Sequence, residues 1–238
     1  MNHAEAMALA RTEYDRLLAV VDQLEPHDWA KQTDNDLWDV RAMLGHVLGT
    51  MDANASIRES LRQQRAAARE AKAVGGFPVD ATTALQVEKH AKRSPEEVVT
   101  SLHAMAPRAL RGRKNTPVFV RAISITPGPP FPGRWKLGYV IDIIYTRDTW
   151  MHRVDLCRAT DKELVLTADH DGVLVADVVE EWARAHGQPF TLVLTGPAGG
   201  TWSQGDGGER ITLDAVEFCR ILSGRGTGSG LLTQGVAF

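Results

Sequence analysis

Apolar residues recur on a 3.6-residue period through most of the first two-thirds of the chain. Met7, Leu9, Ala10, Tyr14, Leu17, Leu18, Val21 and Leu24 share one stripe, which predicts a first helix from about Asn2 to Leu24, ended by Pro26. The turn-rich segment PHDWAKQTDNDLW follows. Asp39 then reads as the N-cap of a second helix running to about Ala68, with Val40, Met43, Leu44, Val47, Leu48 and Met51 inward. Beyond Ile57 the pattern turns to Arg, Gln and Ala and predicts an exposed extension, broken by VGGFPVD at 74–80.

Ser94-Pro95-Glu96-Glu97 predicts the start of a third helix, with a cap, a proline at the first helical position and a reciprocal Glu. Val98, Leu102, Met105 and Ala109 form its stripe, and Pro107 is expected to kink it. A long proline-rich loop, 115–137, follows; loops of this length often wall an active site. A fourth helix is predicted from Leu137 to about Ala159. After residue 160 the pattern changes. HDGVLVADVVEEWARAHG predicts an amphipathic helix with a Gly stop. PFTLVLTG, GGTWSQG and ERITLD predict three short strands, and DAVEFCRILSG a closing helix. The fold class expected is therefore an α-helical bundle over 1–160 followed by a small α+β domain of helix, three strands and helix over 161–238.

Composition narrows the function classes. Lys and Arg number 27 against 30 Asp and Glu, a formal charge of −3, so no strong field points to nucleic acid or an anionic membrane. The local run RALRGR at 108–113 reads as a solvated helix end. Cys157 and Cys219 form no CxxC and are expected as reduced core thiols. The N-terminal stretch is interrupted by Glu5, Arg11, Glu13 and Asp15 and has no secretory h-region; the expected location is the cytoplasm. HExxH, Walker A and GxSxG are absent, and GTGSG at 226–230 has no helix after it to make a dinucleotide loop.

The fourth helix carries the chemistry. Ile141, Ile144, Asp148, His152 and Asp155 fall on one face, so an apolar stripe turns polar halfway along. Asp148 and His152, one turn apart, can be a hydrogen-bonded pair or two metal ligands completed from a facing helix. On the second helix His46 sits at the edge of the stripe among Ala42, Gly45, Gly49, Thr50 and Ala53. Two mid-helix glycines cost roughly 1 kcal/mol each against Ala, which implies that space is wanted there, for close packing or for a cavity. His46, Asp148 and His152 together would make a two-His, one-carboxylate set that suits zinc, nickel or iron. Asp155 can orient His152 or pair with Arg153 or Arg158. Arg147 and Arg153 are assigned to solvent or a neighbouring domain, and Trp38 and Trp150 to the core. Tyr145 can be a core tyrosine or reach the cavity. His90, His103, His170 and His186 have no partner pattern and are expected at the surface.

Two stretches, Asp28–Gly49 with WDVRAMLGHVLG and YTRDTWMHRVDL at 145–156, resemble the DinB-like bundle of the mycothiol-dependent maleylpyruvate isomerase family. TLVLTGPAGGTWSQG, DAVEFCRILSGR and the terminal GVAF resemble that family's sterol-carrier-like second domain. The resemblance implies a divalent metal, usually zinc, on His46, Asp148 and His152, with Asp148 standing where the family's isomerase has Glu. It implies mycothiol or a similar low-molecular-weight thiol as cofactor, with Arg225 helping to bind it. It also implies isomerase or thiol-transferase chemistry on a small electrophilic substrate; no nucleic-acid or membrane partner is expected, on the charge balance given above. A non-catalytic metal-binding or stress-response protein on the same bundle is the alternative, since fold does not determine function. A lipid ligand for the second domain is a third reading, disfavoured by its short, Gly-rich strands.

Overall fold

The computed structural model describes residues 1–128 and 133–238. The chain divides into two compact units, Met1–Glu163 and Leu164–Phe238.

In the first unit four long helices form a bundle: α1 (His3–Val21), α2 (Val40–Ala55), α5 (Pro95–Lys114) and α8 (Tyr145–Thr160). Between α2 and α5 the chain forms a helical hairpin, α3 (Ile57–Val74) and α4 (Pro78–His90), and α4 lies along α2. The caps follow the sequence signals. Asn2 and Glu5 close a capping box on α1, Asp39 accepts from Ala42 N–H at 2.8 Å, and Ser94 and Glu97 close a second box on α5. The bundle core is Leu17, Met43, Leu44, Leu48, Leu102, Trp150 and their neighbours, all essentially inaccessible.

Three expectations change, and α5 is continuous at the proline expected to kink it. The second helix does not run to Ala68: Ser56 adopts an extended conformation (φ −147°, ψ 117°), ends α2 and caps α3 through Glu59 N–H. A separate helix, α4, occupies a segment in which no helix was expected; its start is unmarked by a side-chain cap. Helix α5 runs on through Pro107. The 115–137 loop holds a one-turn helix, α6 (Val118–Arg121), and a two-residue antiparallel ladder, β1 (Ser124–Ile125) with β2 (Trp135–Lys136). Three of the prolines expected to dominate that loop, at 129, 130 and 132, lie outside the described residues.

The fourth predicted helix is continuous from Leu137 to Thr160 but not uniform. A short turn, α7 (Leu137–Tyr139), leads through a π turn at Val140–Ile144 into α8. Arg113, buried to 1% exposure, ties that turn down. Its Nε and Nη2 donate to the Ile141 carbonyl at 2.9 and 2.7 Å, Nη2 donates to Thr146 Oγ1 at 2.6 Å, and Nη1 donates to the Tyr14 hydroxyl at 3.2 Å. So the last arginine of RALRGR is a structural pin, not part of a solvated end. Gly112, beside it, is required by close approach: a Cβ there would meet the Asn54 carbonyl oxygen at 1.9 Å.

Of the two alternatives for the α8 arginines, solvent or a neighbouring domain, solvent is overturned. Arg147 and Arg153 are both buried. Arg153 makes a two-pronged pair with the equally buried Glu13 of α1, Nε to Oε1 at 2.7 Å and Nη2 to Oε2 at 3.1 Å. Such a fork matches guanidinium to carboxylate geometry and fixes the rotation of α8 against α1.

The second unit is the expected helix, three strands and helix. Helix α9 (Asp171–His186) precedes β3 (Phe190–Thr195), β4 (Gly200–Gln204) and β5 (Glu209–Asp214), and α10 (Ala215–Leu222) follows. The sheet order is β4-β3-β5, with β3 antiparallel to β4 and parallel to β5. Phe190, Leu192 and Leu194 point to one side of β3 and are buried, as the alternation requires. Trp182 stacks edge-on against Phe190 and Phe218 and donates its indole N–H to Leu231 O at 3.0 Å. Cys157 and Cys219 are buried and unbridged, as expected. Among the described residues no helix is long and apolar enough to cross a membrane.

The Arg113 pin predicts a measurable cost. Arg113→Met keeps the apolar stem but leaves the Ile141 carbonyl and Thr146 hydroxyl without these donors. It is expected to lower stability to urea unfolding by about 3 kcal/mol. A midpoint unchanged from the parent protein would contradict the assignment.

Candidate metal centre

The site is built where α2 and α8 face each other. His46 stands in the middle of α2, and Asp148 and His152 stand one turn apart on α8. Their ligand-type atoms all lie within 4.8 Å of one another. His46 Nε2 is 3.6 Å and His152 Nε2 3.3 Å from the same oxygen, Asp148 Oδ1. The side chains of His46 and His152 are 7% and 5% exposed, and that of Asp148 is 22% exposed. The two imidazole rings meet nearly edge to face, 5.2 Å between centroids at 76°. The chain thus brings together all three residues picked out from the sequence, through the helix spacing on α8 and the packing of α2 against it.

Both imidazoles are held from behind. His152 Nδ1 lies 3.2 Å from Asp155 Oδ2, a carboxylate acceptor, so that nitrogen carries the hydrogen. Asp155 is buried and within reach of the His152 ring, which it is placed to orient. His46 Nδ1 lies 2.8 Å from Gln86 Oε1 on α4. In front, Trp38 covers both rings, its indole 5.0 Å from His46 and 5.9 Å from His152. Trp38 is set there by the segment before α2. Its carbonyl accepts from Thr33 Oγ1 at 2.8 Å and Gln32 Nε2 at 2.9 Å, and Gln32 bridges to Asp39. Trp38 is therefore part of the site wall, whereas Trp150 is core.

The electrostatics follow from burial opposed by partners. Burial alone would raise the Asp148 pKa; the charges of His152 and His46, with hydrogen bonds from both, outweigh it and hold the carboxyl well below its usual range. Burial alone would lower the His152 pKa. The Asp148 charge and hydrogen bond, reinforced by Asp155, push it up to about 9. Tyr145 is half-buried one turn before Asp148, with the Arg113 guanidinium 5.8 Å from its ring centroid. Burial and the Asp148 charge raise its hydroxyl pKa against the pull of Arg113, so the phenol stays protonated.

Two imidazoles and a carboxylate this close together are a donor set that a divalent metal ion could occupy. Tetrahedral ligation at about 2.0–2.1 Å places donor atoms roughly 3.3 Å apart, and the two imidazole-to-carboxylate separations here are 3.3 and 3.6 Å. His46, Asp148 and His152 would supply three donors to such an ion. Arg225 belongs to the second unit. It is half-buried just after α10, its N–H donating to Arg220 O at 2.8 Å.

Sequence reasoning missed Gln86 because α4 was not anticipated; the signal available was the pair of glycines on α2. The histidines expected at the surface divide. His103 is exposed and pairs with Asp22 at 2.7 Å. His186 is half-buried against Trp182. His90 and His170 are buried, and His90 Nε2 sits 3.1 Å from Asp52. His90 reads as exposed from sequence because α4, the helix that carries it against α2, has no clear signal.

Comparison with known proteins places these features. The family model described as the mycothiol maleylpyruvate isomerase N-terminal domain matches residues 10–157. Two uncharacterized proteins of Mycobacterium tuberculosis, from strains CDC 1551 / Oshkosh and ATCC 25618 / H37Rv, are each 27% identical over 229 residues, covering 90% of this chain and 83% of theirs. The crystal structure of a mycothiol-dependent maleylpyruvate isomerase superposes with a TM-score of 0.61 at 14% identity, covering 96% of this chain and 92% of the enzyme. That of its histidine-to-alanine mutant superposes with a TM-score of 0.61 at 13% identity over 95% and 91% of the two chains. At such identity these two structures speak to the fold.

The raised His152 pKa gives a pH prediction for the metal-free protein. A group whose folded pKa exceeds its ordinary 6.5 contributes stability that is complete below that value and is lost as pH rises through about 9. The thermal midpoint of metal-free protein should therefore fall across that window. Divalent-metal affinity should rise across the same window, up to about tenfold per pH unit, because ligation displaces the His152 proton. Metal affinity flat over this range, measured by chelator competition, would show that His152 holds no such proton.

Proposed function

The chain belongs to the mycothiol maleylpyruvate isomerase family, and from that premise we propose that it is a divalent-metal-binding, mycothiol-dependent enzyme, an isomerase or thiol transferase acting on a small electrophilic substrate. The observation that carries this reading is the convergence of His46 Nε2, His152 Nε2 and Asp148 Oδ1 at ligand-like separations, with both histidines anchored on their other nitrogens.

His46, Asp148 and His152 would hold the metal, with zinc the best match to two imidazoles and a carboxylate, and nickel or iron also compatible. When bound, such an ion supplies Lewis acidity that holds a coordinated thiol as its thiolate. The reaction class is addition of the thiol to an electrophilic carbon. Loss of the thiol after bond rotation gives isomerisation; retention gives transfer. The protein's own part is positional and electrostatic. Asp148 brings a full negative charge to the donor set. Asp155 and Gln86 hold the two rings, and Trp38 shields them from bulk water. Arg225 is proposed to offer a fixed cation to a carboxylate or polar group of the thiol.

Metal analysis is the direct test. Wild-type protein loaded with zinc and desalted should retain stoichiometric metal, and His152→Ala should weaken binding by more than about 100-fold. No divalent metal in the loaded wild type would sink the proposal. Arg225→Ala should leave metal content unchanged and raise the thiol concentration needed for half-saturation. Full metal occupancy without thiol binding by the wild type would instead indicate a metal-binding protein without this enzyme chemistry.

A further inference from the structure

The geometry points to Gln86 as a positioning residue that keeps a hydrogen on His46 Nδ1 and so leaves Nε2, the nitrogen facing Asp148, as the one available to an ion. This inference rests on the metal-site reading above for its consequence, but its geometry stands independently of any ion.

The assignment follows from a relay of buried groups whose far end can only accept. Gln63 is 3% exposed, Gln86 4% and His46 5%. The Gln63 side-chain amide reaches the Gly49 carbonyl oxygen at 3.0 Å and Glu59 Oε1 at 3.1 Å. A backbone carbonyl has no hydrogen to give. Glu59 receives both Nε and Nη2 of Arg62 at 2.7 Å and Lys89 Nζ at 2.8 Å; these partners outweigh its partial burial and hold its carboxyl well below the usual range. Both are acceptors only, so the atom of Gln63 facing them must be its NH2. Gln63 Oε1 is then turned to Gln86, at 2.9 Å, and must receive the Gln86 NH2. Gln86 Oε1 is thereby turned to His46 Nδ1 at 2.8 Å and can only accept. Thr50 Oγ1 lies 3.4 Å from the same oxygen and can donate to it. Each amide orientation is dictated by the next, and the chain ends with a hydrogen on His46 Nδ1.

The packing is specialised for this contact. Helix α4 approaches α2 so closely at Gln86 that a Cβ on Gly49 would lie 2.5 Å from Gln86 Cβ and 2.6 Å from its Cγ. One of the two mid-helix glycines thus serves close packing, which carries a glutamine to the back of His46. The consequence for ligation is direct: neutral imidazole has one lone pair, and only the Nδ1–H tautomer presents it from Nε2.

Nitrogen-detected imidazole NMR on metal-free wild-type protein reads the tautomer. Nδ1 of His46 should be protonated; Nδ1 found bare would overturn the inference. Zinc competition against a chelator then reads the consequence. Gln86→Leu is expected to weaken zinc about 10- to 100-fold, whereas Gln86→Glu, which keeps an acceptor for His46, should stay within several-fold of wild type. Equal zinc affinity in a folded Gln86→Leu protein would overturn the positioning role. If that variant fails to fold, the wild-type NMR still decides the tautomer. Wild type that takes up no zinc while Nδ1 is protonated would remove the metal reading and leave the tautomer assignment standing.

Discussion

The carboxylate of Asp148 is the constraint around which the first unit is organised. An ionised carboxyl that is mostly out of water costs several kcal/mol unless neighbours compensate it. Here the compensation is two imidazoles within 3.6 Å of one oxygen. That arrangement demands that α2 and α8 lie side by side with His46 and His152 at the same level. It also demands that neither ring rotate away. Each ring is therefore tied at its other nitrogen, one to Asp155 on its own helix and one to Gln86 on a helix brought in for close contact. The fold around the site can be read as the set of supports that hold one charged oxygen between two rings.

Those supports extend outward through two buried arginines. Arg113 grips the π turn at the Ile141 carbonyl, just before α8 begins. Arg153, one residue past His152 and about 100° further around α8, grips Glu13 of α1. Asp142, within the π turn itself, is paired with His3 at 2.8 Å and with Arg121. Helix α8 is thus held axially at its start and rotationally in its middle. Buried charge pairs of this sort add little net stability compared with apolar packing, and their value lies in admitting one geometry. For three groups that must meet at one point, as proposed for metal ligation, that restriction matters more than additional stability.

Much of this was legible from periodicity and caps. Asp39, Ser94 and the i, i+4 spacing of Asp148 and His152 each act locally, so a single chain reveals them. What escaped depends on contacts distant in sequence. Helix α4 has a weak apolar stripe and no side-chain cap, because it is held by close approach to α2 rather than by its own pattern. Ser56 ends α2 in an extended conformation that composition alone does not mark. The π turn depends on Arg113, some 28 residues upstream in the chain. Solvent is an expected destination for Arg147 and Arg153, beside a neighbouring domain, because charge is ordinarily solvated; Glu13, which makes burial of Arg153 tolerable, lies 140 residues away. The glycines of α2 did carry a signal, and the structure resolves its meaning at Gly49 as close packing that delivers Gln86.

The two anchors are chemically unequal. Gln86 is neutral, so His46 gains orientation from it without added charge. Asp155 is a second buried carboxylate, with a side-chain exposure of 0%, behind a histidine whose pKa is pushed up to about 9. If the site takes a divalent ion as proposed, the two anchors act differently on it: Asp155 places a carboxylate behind His152, Gln86 a neutral acceptor behind His46, and both keep an Nε2 turned toward Asp148.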